Sequence, residues 1–112
     1  HLTMLNKEFT SYQLKQIGRL SSFYSVRLYE LMSQFIKLKQ RECTLAQVRE
    51  MLDLGEKYPN VKDLRRWVID PALAELNKNT DLAVTADPRR QGRKIVGFSF
   101  TITKNDQMAL QL

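Results

Sequence analysis

The chain has 112 residues, of which 43% are hydrophobic, and this is enough apolar side chain to build one folded core. Its 18 Lys and Arg residues outnumber its 12 Asp and Glu residues, so the net charge of +6 favours a polyanionic partner. No apolar run approaches the roughly 20 residues of a membrane span, and the N-terminus lacks a secretory pattern, so we expect a soluble, cytoplasmic protein without a membrane partner.

The N-terminal part of the sequence predicts a linker followed by two helices. We interpret residues 1–10 as an extension from a missing upstream domain, because the chain begins with His rather than Met and this segment has no helix pattern. Ser11 is the predicted N-cap of a short helix that runs to about Arg19. From Tyr24 to Leu38 apolar residues recur at spacings of three and four, which predicts a central core helix.

Two further helices are predicted in the middle of the chain. Thr44 is the expected cap of a helix from Leu45 to Leu52, and Gly55 occupies the place of its C-terminal cap. Asn60 is the expected cap of the third main helix. The apolar stripe of this helix consists of Val61, Leu64, Val68, Ala72 and Leu76. Pro71 lies inside the pattern and lacks a backbone donor, so it should kink or divide the helix.

After the third helix the periodicity changes to two, which predicts β-strands. The strands cover about residues 82–86 and 95–102, and the basic segment Asp87–Lys94 is interpreted as the loop between them. Residues 105–112 carry no clear signal and are treated as a tail. Three to four helices followed by a β-hairpin wing is the order of an α+β winged helix, which we expect to span residues 11–104.

Catalytic and metal-binding chemistry has little support in this sequence. The lone histidine is His1, no cluster of His, Cys, Asp and Glu has metal-ligand spacing, and the four glycines are too scattered for a phosphate loop. Cys43 is interpreted as a small buried residue, and Asp63, Asp70 and Glu75 as charges on a helix surface. We therefore expect no enzyme activity, no metal and no cofactor.

The third helix carries the cations that are best placed to read duplex DNA. Lys62 and Arg66 are four residues apart and share a helix face, with Arg65 on the side nearer the core. An Arg guanidinium can bind guanine O6 and N7 together in the major groove. The alternative is a solvated face on which Asp63 and Asp70 balance the cations, but the place of this helix in the winged-helix order favours DNA.

The basic loop of the hairpin is predicted to contact phosphates, with insertion of one Arg into the minor groove as a variant. Its cations, only partly offset by Asp87, are Arg89, Arg90, Arg93 and Lys94. The alternative is surface charge that serves solubility alone. Trp67 is interpreted as a core or core-edge residue rather than a base-stacking one, because it lies within an amphipathic helix.

Several short pieces of the sequence, in this order and spacing, carry a resemblance to a known family. They are Ser25-Val26-Arg27-Leu28-Tyr29-Glu30-Leu31, Tyr58, Asp63-Leu64-Arg65-Arg66-Trp67-Val68-Ile69, Glu75-Leu76-Asn77, Thr80-Asp81-Leu82, Gly92-Arg93-Lys94-Ile95 and Phe98-Ser99-Phe100. Over roughly residues 9–103 the chain resembles the plasmid replication initiator (Rep) proteins that bind iterons, specifically their C-terminal winged-helix domain.

The resemblance implies that the whole protein has two tandem winged helices, of which this chain looks like the second. Members of the family bind iterons in double-stranded plasmid DNA as monomers, help to open the origin and recruit host replication proteins in the bacterial cytoplasm. Their dimers form mainly through the N-terminal winged helix and often repress their own gene, which is a form of plasmid copy control. The isolated domain is therefore expected to be a monomer.

The resemblance also carries DNA-binding roles onto residues of this chain. The role of major-groove reader falls on Lys62, Arg65 and Arg66. Arg27, Lys57 and Tyr58 become candidates for phosphate contact, with an ion pair to Glu30 or to another nearby carboxylate as the alternative for Arg27. Two other functions stay open: a chromosomal winged-helix transcription regulator, and a protein-interaction winged helix that docks through the N-terminal segment and the tail.

Overall fold

The structure is a computed structural model and describes residues 10–104. The predicted tail, and all but Thr10 of the predicted linker, lie outside the described residues. The elements in chain order are α1 (Ser11–Ile17), α2 (Phe23–Gln34), a 3-10 helix (Ile36–Leu38), β1 (Gln40–Thr44), α3 (Leu45–Met51), α4 (Val61–Leu64), a π-helical segment (Arg65–Ile69), α5 (Asp70–Asn79), β2 (Leu82–Gln91) and β3 (Lys94–Lys104). Within residues 10–104, no helix is long and apolar enough to cross a membrane.

The first two helices differ slightly from their predicted bounds. Thr10, and not Ser11 as the sequence predicted, caps α1, because its hydroxyl accepts the Gln13 N–H while the Gln13 side chain accepts the Thr10 N–H. The predicted core helix ends early, at Gln34. It ends there because the chain turns back through the 3-10 helix and then through Lys39, which has a left-handed φ of 63°.

The strand that follows this turn, β1, was not predicted from the sequence. It pairs antiparallel with β3, with Cys43 opposite Phe98, and the order of the sheet is β1-β3-β2. Cys43 is buried, as predicted. The two strands approach most closely at Gly97, where a Cβ atom would clash with the carbonyl oxygen of Cys43. Glycine is therefore required at position 97 for β1 to join the sheet.

Thr44 caps α3 as predicted, and Gln47 completes the capping box. The prediction for the end of this helix is wrong, because its C-cap is Leu52 and not Gly55. Gly55 instead turns the following loop with a φ of 57°.

Three consecutive segments, α4, the π-helical segment and α5, form what we call the long helix. Asn60 caps it as predicted, because its side-chain oxygen accepts the Lys62 N–H at 2.8 Å. Pro71 interrupts the helix as predicted, but the interruption is a π turn and not a break in the chain of helical residues. In this turn the Asp70 N–H donates to the carbonyl of Arg65, one residue further back than in an α-helix.

The hairpin of β2 and β3 is present as predicted, but its strands are longer. They continue through most of the predicted basic loop, so that the turn consists of Gly92-Arg93 alone. Gly92 has a φ of 65°, a conformation that a tight hairpin turn demands and glycine adopts without strain. A β-bulge separates Arg89 from Arg90.

Two side chains of α5 fasten the long helix to its neighbours. The Glu75 carboxylate accepts hydrogen bonds from the Ser21 N–H at 3.0 Å, the Ser21 hydroxyl at 2.6 Å and the Ser22 N–H at 3.3 Å. Glu75 is therefore more than the surface charge that the sequence suggested. Asn77 makes two hydrogen bonds with the backbone of Val84, donating to its carbonyl at 2.8 Å and accepting its N–H at 2.7 Å.

A buried polar cluster around Asp81 joins α1, α2 and the hairpin. The Tyr29 hydroxyl donates to this carboxylate at 3.2 Å, Lys104 Nζ lies 3.1 Å from its other oxygen, and the Asp81 N–H donates to Gln16 at 3.0 Å. Burial, together with the Asp81 carboxylate, raises the pKa of Tyr29, so the hydroxyl stays protonated and can donate. The sequence analysis did not identify this cluster.

One hydrophobic core lies between the helices and the inner face of the sheet. On β3 the residues Phe98, Phe100 and Ile102 are buried in it. The helices contribute among others Leu28, Leu31, Val48, Leu64, Val68 and Leu76. The fold is the predicted α+β winged helix, with β1 added at one edge of the sheet and the hairpin as the wing.

Candidate nucleic-acid interface

The basic residues of the long helix have the orientation that the sequence predicted. Lys62 and Arg66 are exposed, whereas Arg65 is half-buried with its guanidinium 5.9 Å from the centroid of the Phe98 ring. The stem of Arg65 therefore covers the edge of the core, and Arg66 points away from it. The π turn has not exchanged the roles of these two neighbours.

A groove of about 430 Å³ lies between the long helix and the wing, close to the tip of the wing. It is lined by Lys62, Arg65, Arg66, Asp70 and Ile95, of which Ile95 belongs to β3. The fold thus brings the cations of the helix next to the hairpin. Three cations and one carboxylate give this groove a net positive charge, as a site for a polyanion requires.

The tip of the wing presents a second group of cations. Arg90, Arg93 and Lys94 are exposed around the Gly92 turn. Arg90 Nη1 donates to the carbonyl of Arg93 at 3.3 Å, which ties one side of the tip to the other. All three are open to solvent, and their contact with phosphates stays a prediction.

Arg89 differs from the other three cations of the wing. It precedes the bulge and forms an ion pair with Glu42 of β1, across the outer face of the sheet. About half of each side chain is still exposed, at 48% for Arg89 and 55% for Glu42. Because Glu42 offsets this charge, Arg89 is less available to a phosphate than the sequence suggested.

The surroundings of Arg27 do not favour the phosphate contact predicted for it. Arg27 is only 7% exposed, its Nε donates to the carbonyl of Met51 at 3.0 Å, and its guanidinium lies 5.5 Å from the centroid of the Phe23 ring. It forms none of the ion pairs found between residues 10 and 104, so the alternative pair with Glu30 is absent as well. Arg27 ties the end of α3 to α2.

Lys57 and Tyr58, the other candidates for phosphate contact, lie in the loop before the long helix. Lys57 is exposed and Tyr58 is half-buried with a φ of 53°. Their carbonyl oxygens accept hydrogen bonds from Nη1 and Nη2 of Arg49, each at 2.6 Å. Arg49 was not predicted from the sequence, because a single Arg on a short helix gives no pattern that indicates such a role. This residue holds the loop that positions the start of the long helix.

Trp67 is not the core or core-edge residue that the sequence predicted. It is 57% exposed, and the Arg66 guanidinium lies 5.0 Å from the centroid of its ring. A cation over the face of an indole is weakly attracted to it, which restricts the rotamers of Arg66. Among the described residues, no group of three or more His, Cys, Asp and Glu side chains could hold a metal ion.

The amino-acid sequence of this chain is similar to a family of known proteins. Residues 44–102 match the model of "Initiator Rep protein, WH2", and residues 1–33 match that of "Initiator Replication protein, WH1". A "Replication initiation protein" of Escherichia coli is 28% identical over 109 residues, which are 93% of this chain and 34% of that protein. An "Uncharacterized 27.6 kDa protein" of Escherichia coli is 34% identical over 79 residues, or 70% of this chain and 33% of that protein. The chain thus spans about a third of the length of these relatives.

Proposed function

The chain belongs to the initiator Rep protein family, and from this premise we propose that it binds iterons, the repeated sites in the double-stranded DNA of a plasmid origin. The observation that carries the proposal is the groove between the long helix and the wing, where Lys62, Arg65 and Arg66 meet the hairpin. The net charge of +6 supplies the general attraction for DNA that this requires.

In the proposed complex, the first part of the long helix enters the major groove. Arg66 is exposed, so its planar guanidinium reads base edges, with guanine O6 and N7 as its best partners. Lys62 is one turn earlier on the same face and contacts a base or the adjacent phosphate. Arg65 is held against Phe98 and contributes charge beside the groove more than it reads bases.

The wing is proposed to contact the sugar-phosphate backbone next to the bases that the helix reads. Its exposed cations at the tip are Arg90, Arg93 and Lys94. Such contacts hold the register and orientation of a protein on the duplex, whereas base contacts specify the sequence. Arg89 has a smaller part because Glu42 offsets its charge.

For the whole protein we propose replication initiation in the bacterial cytoplasm, with a second winged helix and with host replication proteins as partners. The match of residues 1–33 to the WH1 model and the likeness to a protein named for replication initiation support this proposal. The domain itself is proposed to act through binding alone, without catalysis.

A selection from a random pool of duplexes with this chain tests the proposal. We expect enrichment of one short sequence, and its repetition in a plasmid origin would identify the iteron. A titration of the enriched duplex at two salt concentrations then measures the electrostatic part of the affinity. For about 4 to 6 neutralised phosphates, log K should fall against log salt with a slope of roughly −4 to −5. A slope near zero, or no enrichment at all, would contradict the proposal.

A further inference from the structure

We propose that Asp70 is a specificity residue, which accepts a hydrogen bond from the exocyclic amino group of one base, cytosine N4 or adenine N6, in the bound duplex. The inference rests on the proposed function, because it deepens the reading of DNA by the same groove. These two amino groups are the hydrogen-bond donors that bases present in the major groove.

Among the described residues Asp70 has no ion-pair partner, although it lies on the surface that is proposed to face the phosphates of DNA. It is exposed and lines the groove together with Lys62, Arg65 and Arg66. The ion pairs between residues 10 and 104 join other residues, so no cation of this described range lies within 4.0 Å of the side-chain oxygens of Asp70. Near DNA an unpaired carboxylate repels phosphates, unless it faces a donor on a base edge.

The π turn supplies a second acceptor beside Asp70. The carbonyl of Arg66 would accept the Asp70 N–H in an α-helix, and the N–H of residue 71 in a π-helix. In this chain the Asp70 N–H donates to Arg65 instead, and Pro71 has no N–H. The long helix therefore offers the Arg66 carbonyl no donor at either position, and this carbonyl belongs to an exposed residue that lines the same groove.

A purely structural role for Asp70, as a charge that stabilises a helix N-terminus, does not agree with its position. Acidic residues in the first turn of a helix are stabilised by free N–H groups at its N-terminus. Asp70 begins α5 but lies inside the continuous long helix, where its own N–H is already bonded to Arg65. Asp63, in contrast, lies in the first turn after the Asn60 cap, where this stabilisation applies, and it does not line the groove. Asp63 is therefore a matched control.

The experiment compares this chain with its Asp70→Ala and Asp63→Ala variants in selections from a random duplex pool. The affinity for the enriched duplex and for its single base-pair variants is then measured. We expect the unmodified chain to prefer cytosine or adenine at one position, and the pool shows which. Asp70→Ala should reduce the preference at that position by about tenfold, since a methyl group cannot accept a hydrogen bond from the base. Asp63→Ala should leave it unchanged.

Two outcomes would overturn the inference without touching the proposed function. Asp70→Ala could strengthen binding to all duplexes equally, which would make Asp70 a repulsive charge only, or it could leave every preference unchanged. Failure of the unmodified chain to bind duplex DNA in a salt-dependent way would instead refute the proposed function itself. Thermal unfolding of each variant establishes that the fold is intact.

Pro71→Ala tests the contribution of the Arg66 carbonyl. The new N–H provides a donor within the helix for the carbonyl of Arg66 or of Trp67. We expect the preference among bases to fall by about threefold, at the base pair read by Asp70 or at the adjacent base pair. The reason is that the Arg66 carbonyl would accept the new N–H or would be displaced by it. If Pro71→Ala retains the full preference, the carbonyl has no part in reading and the inference is limited to the carboxylate.

Discussion

Arg65 and Arg66 are neighbours in the sequence, but their side chains have different surroundings, and this predicts different effects of their removal. Arg66→Ala should lower the affinity for the enriched duplex by about 1 to 3 kcal/mol, because the alanine cannot make the bidentate hydrogen bonds to guanine. Its melting temperature should barely change, since Arg66 is exposed. Fluorescence titrations against the enriched and an unrelated duplex, with thermal unfolding in parallel, check both effects.

Arg65→Ala is the matched comparison. Its stem packs at the edge of the core beside Phe98, so we expect a loss of about 1 kcal/mol in the free energy of unfolding and a smaller loss of specificity. The reverse pattern, with Arg65 as the specificity residue and Arg66 as the structural one, would show that the outward face of the helix is misassigned.

Glu75 makes the stability of the domain sensitive to acid. Its hydrogen bonds with Ser21 and Ser22 lower the pKa of this carboxyl to about 2 from its ordinary value of 4.5. Since the folded state favours the ionised form, this stabilisation is present in full above a pH of about 4.5 and is lost as the pH falls toward 2. Glu75→Gln should therefore melt below the unmodified chain at pH 7 and close to it near pH 2.

Circular dichroism melts across this pH range measure the difference. Glu56→Gln, in the exposed loop before the long helix, serves as the control and should change the melting temperature little at any pH. An equal difference between Glu75→Gln and the unmodified chain at pH 7 and pH 2 would disprove the role of the ionised carboxyl.

At the scale of the elements, substitutions at the tip of the wing and at Arg89 should affect DNA binding differently. Replacing Arg90 and Arg93 by Ala should weaken the binding of all duplexes about equally and reduce the slope of log K against log salt by about 1 for each phosphate that is no longer neutralised. Arg89→Ala should change the slope less, because Glu42 already offsets this charge. Titrations at several salt concentrations check the slopes, and an equal effect of Arg89→Ala would show that the ion pair opens on binding.

The attachment of β1 to the sheet depends on Gly97. Gly97→Ala places a Cβ atom against the Cys43 carbonyl, and backbone has to move to relieve the clash. We expect a loss of about 2 kcal/mol or more in the free energy of unfolding, measured with urea. Thr101→Ala, at an exposed position of the same strand, should cost much less. An unchanged free energy of unfolding in Gly97→Ala would mean that β1 can move away from β3 without a loss of stability.

Elements whose signals are local were predictable from the sequence, and elements that depend on distant partners were not. Apolar spacings of three and four predicted the helices, and the residue types of Thr44 and Asn60 predicted two N-caps. β1 is polar and short, and only pairing with β3 makes it a strand. Pro71 indicated an interruption of the long helix. Whether this interruption is a kink, a break or a π turn depends on how both ends of the helix pack.

The same distinction applies to the candidate site. The outward direction of Arg66 followed from helical phase alone. The burial of Arg27 beside Met51 and the pairing of Arg89 with Glu42 each depend on an element far away in the sequence. No local pattern could have indicated them.

At the scale of the whole molecule, we expect the chain to be a monomer that binds the enriched duplex with one protein for each site. The large apolar side chains exposed in the described part are spread over five elements: Tyr12 and Leu14 on α1, Phe23 on α2, Leu38 in the 3-10 helix, Trp67 in the π-helical segment and Val96 on β3. Sedimentation velocity of the free chain and of its complex measures both masses. A free dimer at micromolar concentration would contradict this prediction.

The double hydrogen bond between Asn77 and the backbone of Val84 has a thermodynamic consequence for binding. It joins the end of the long helix to the start of β2, so the two elements whose residues are proposed to contact DNA are already connected before the encounter. Their conformational entropy is lost during folding and not during association. Calorimetry should therefore give a heat capacity change that reflects the contact surface alone, without the larger negative value of coupled folding. In Asn77→Ala that value should become more negative, because the wing would have to settle on the duplex.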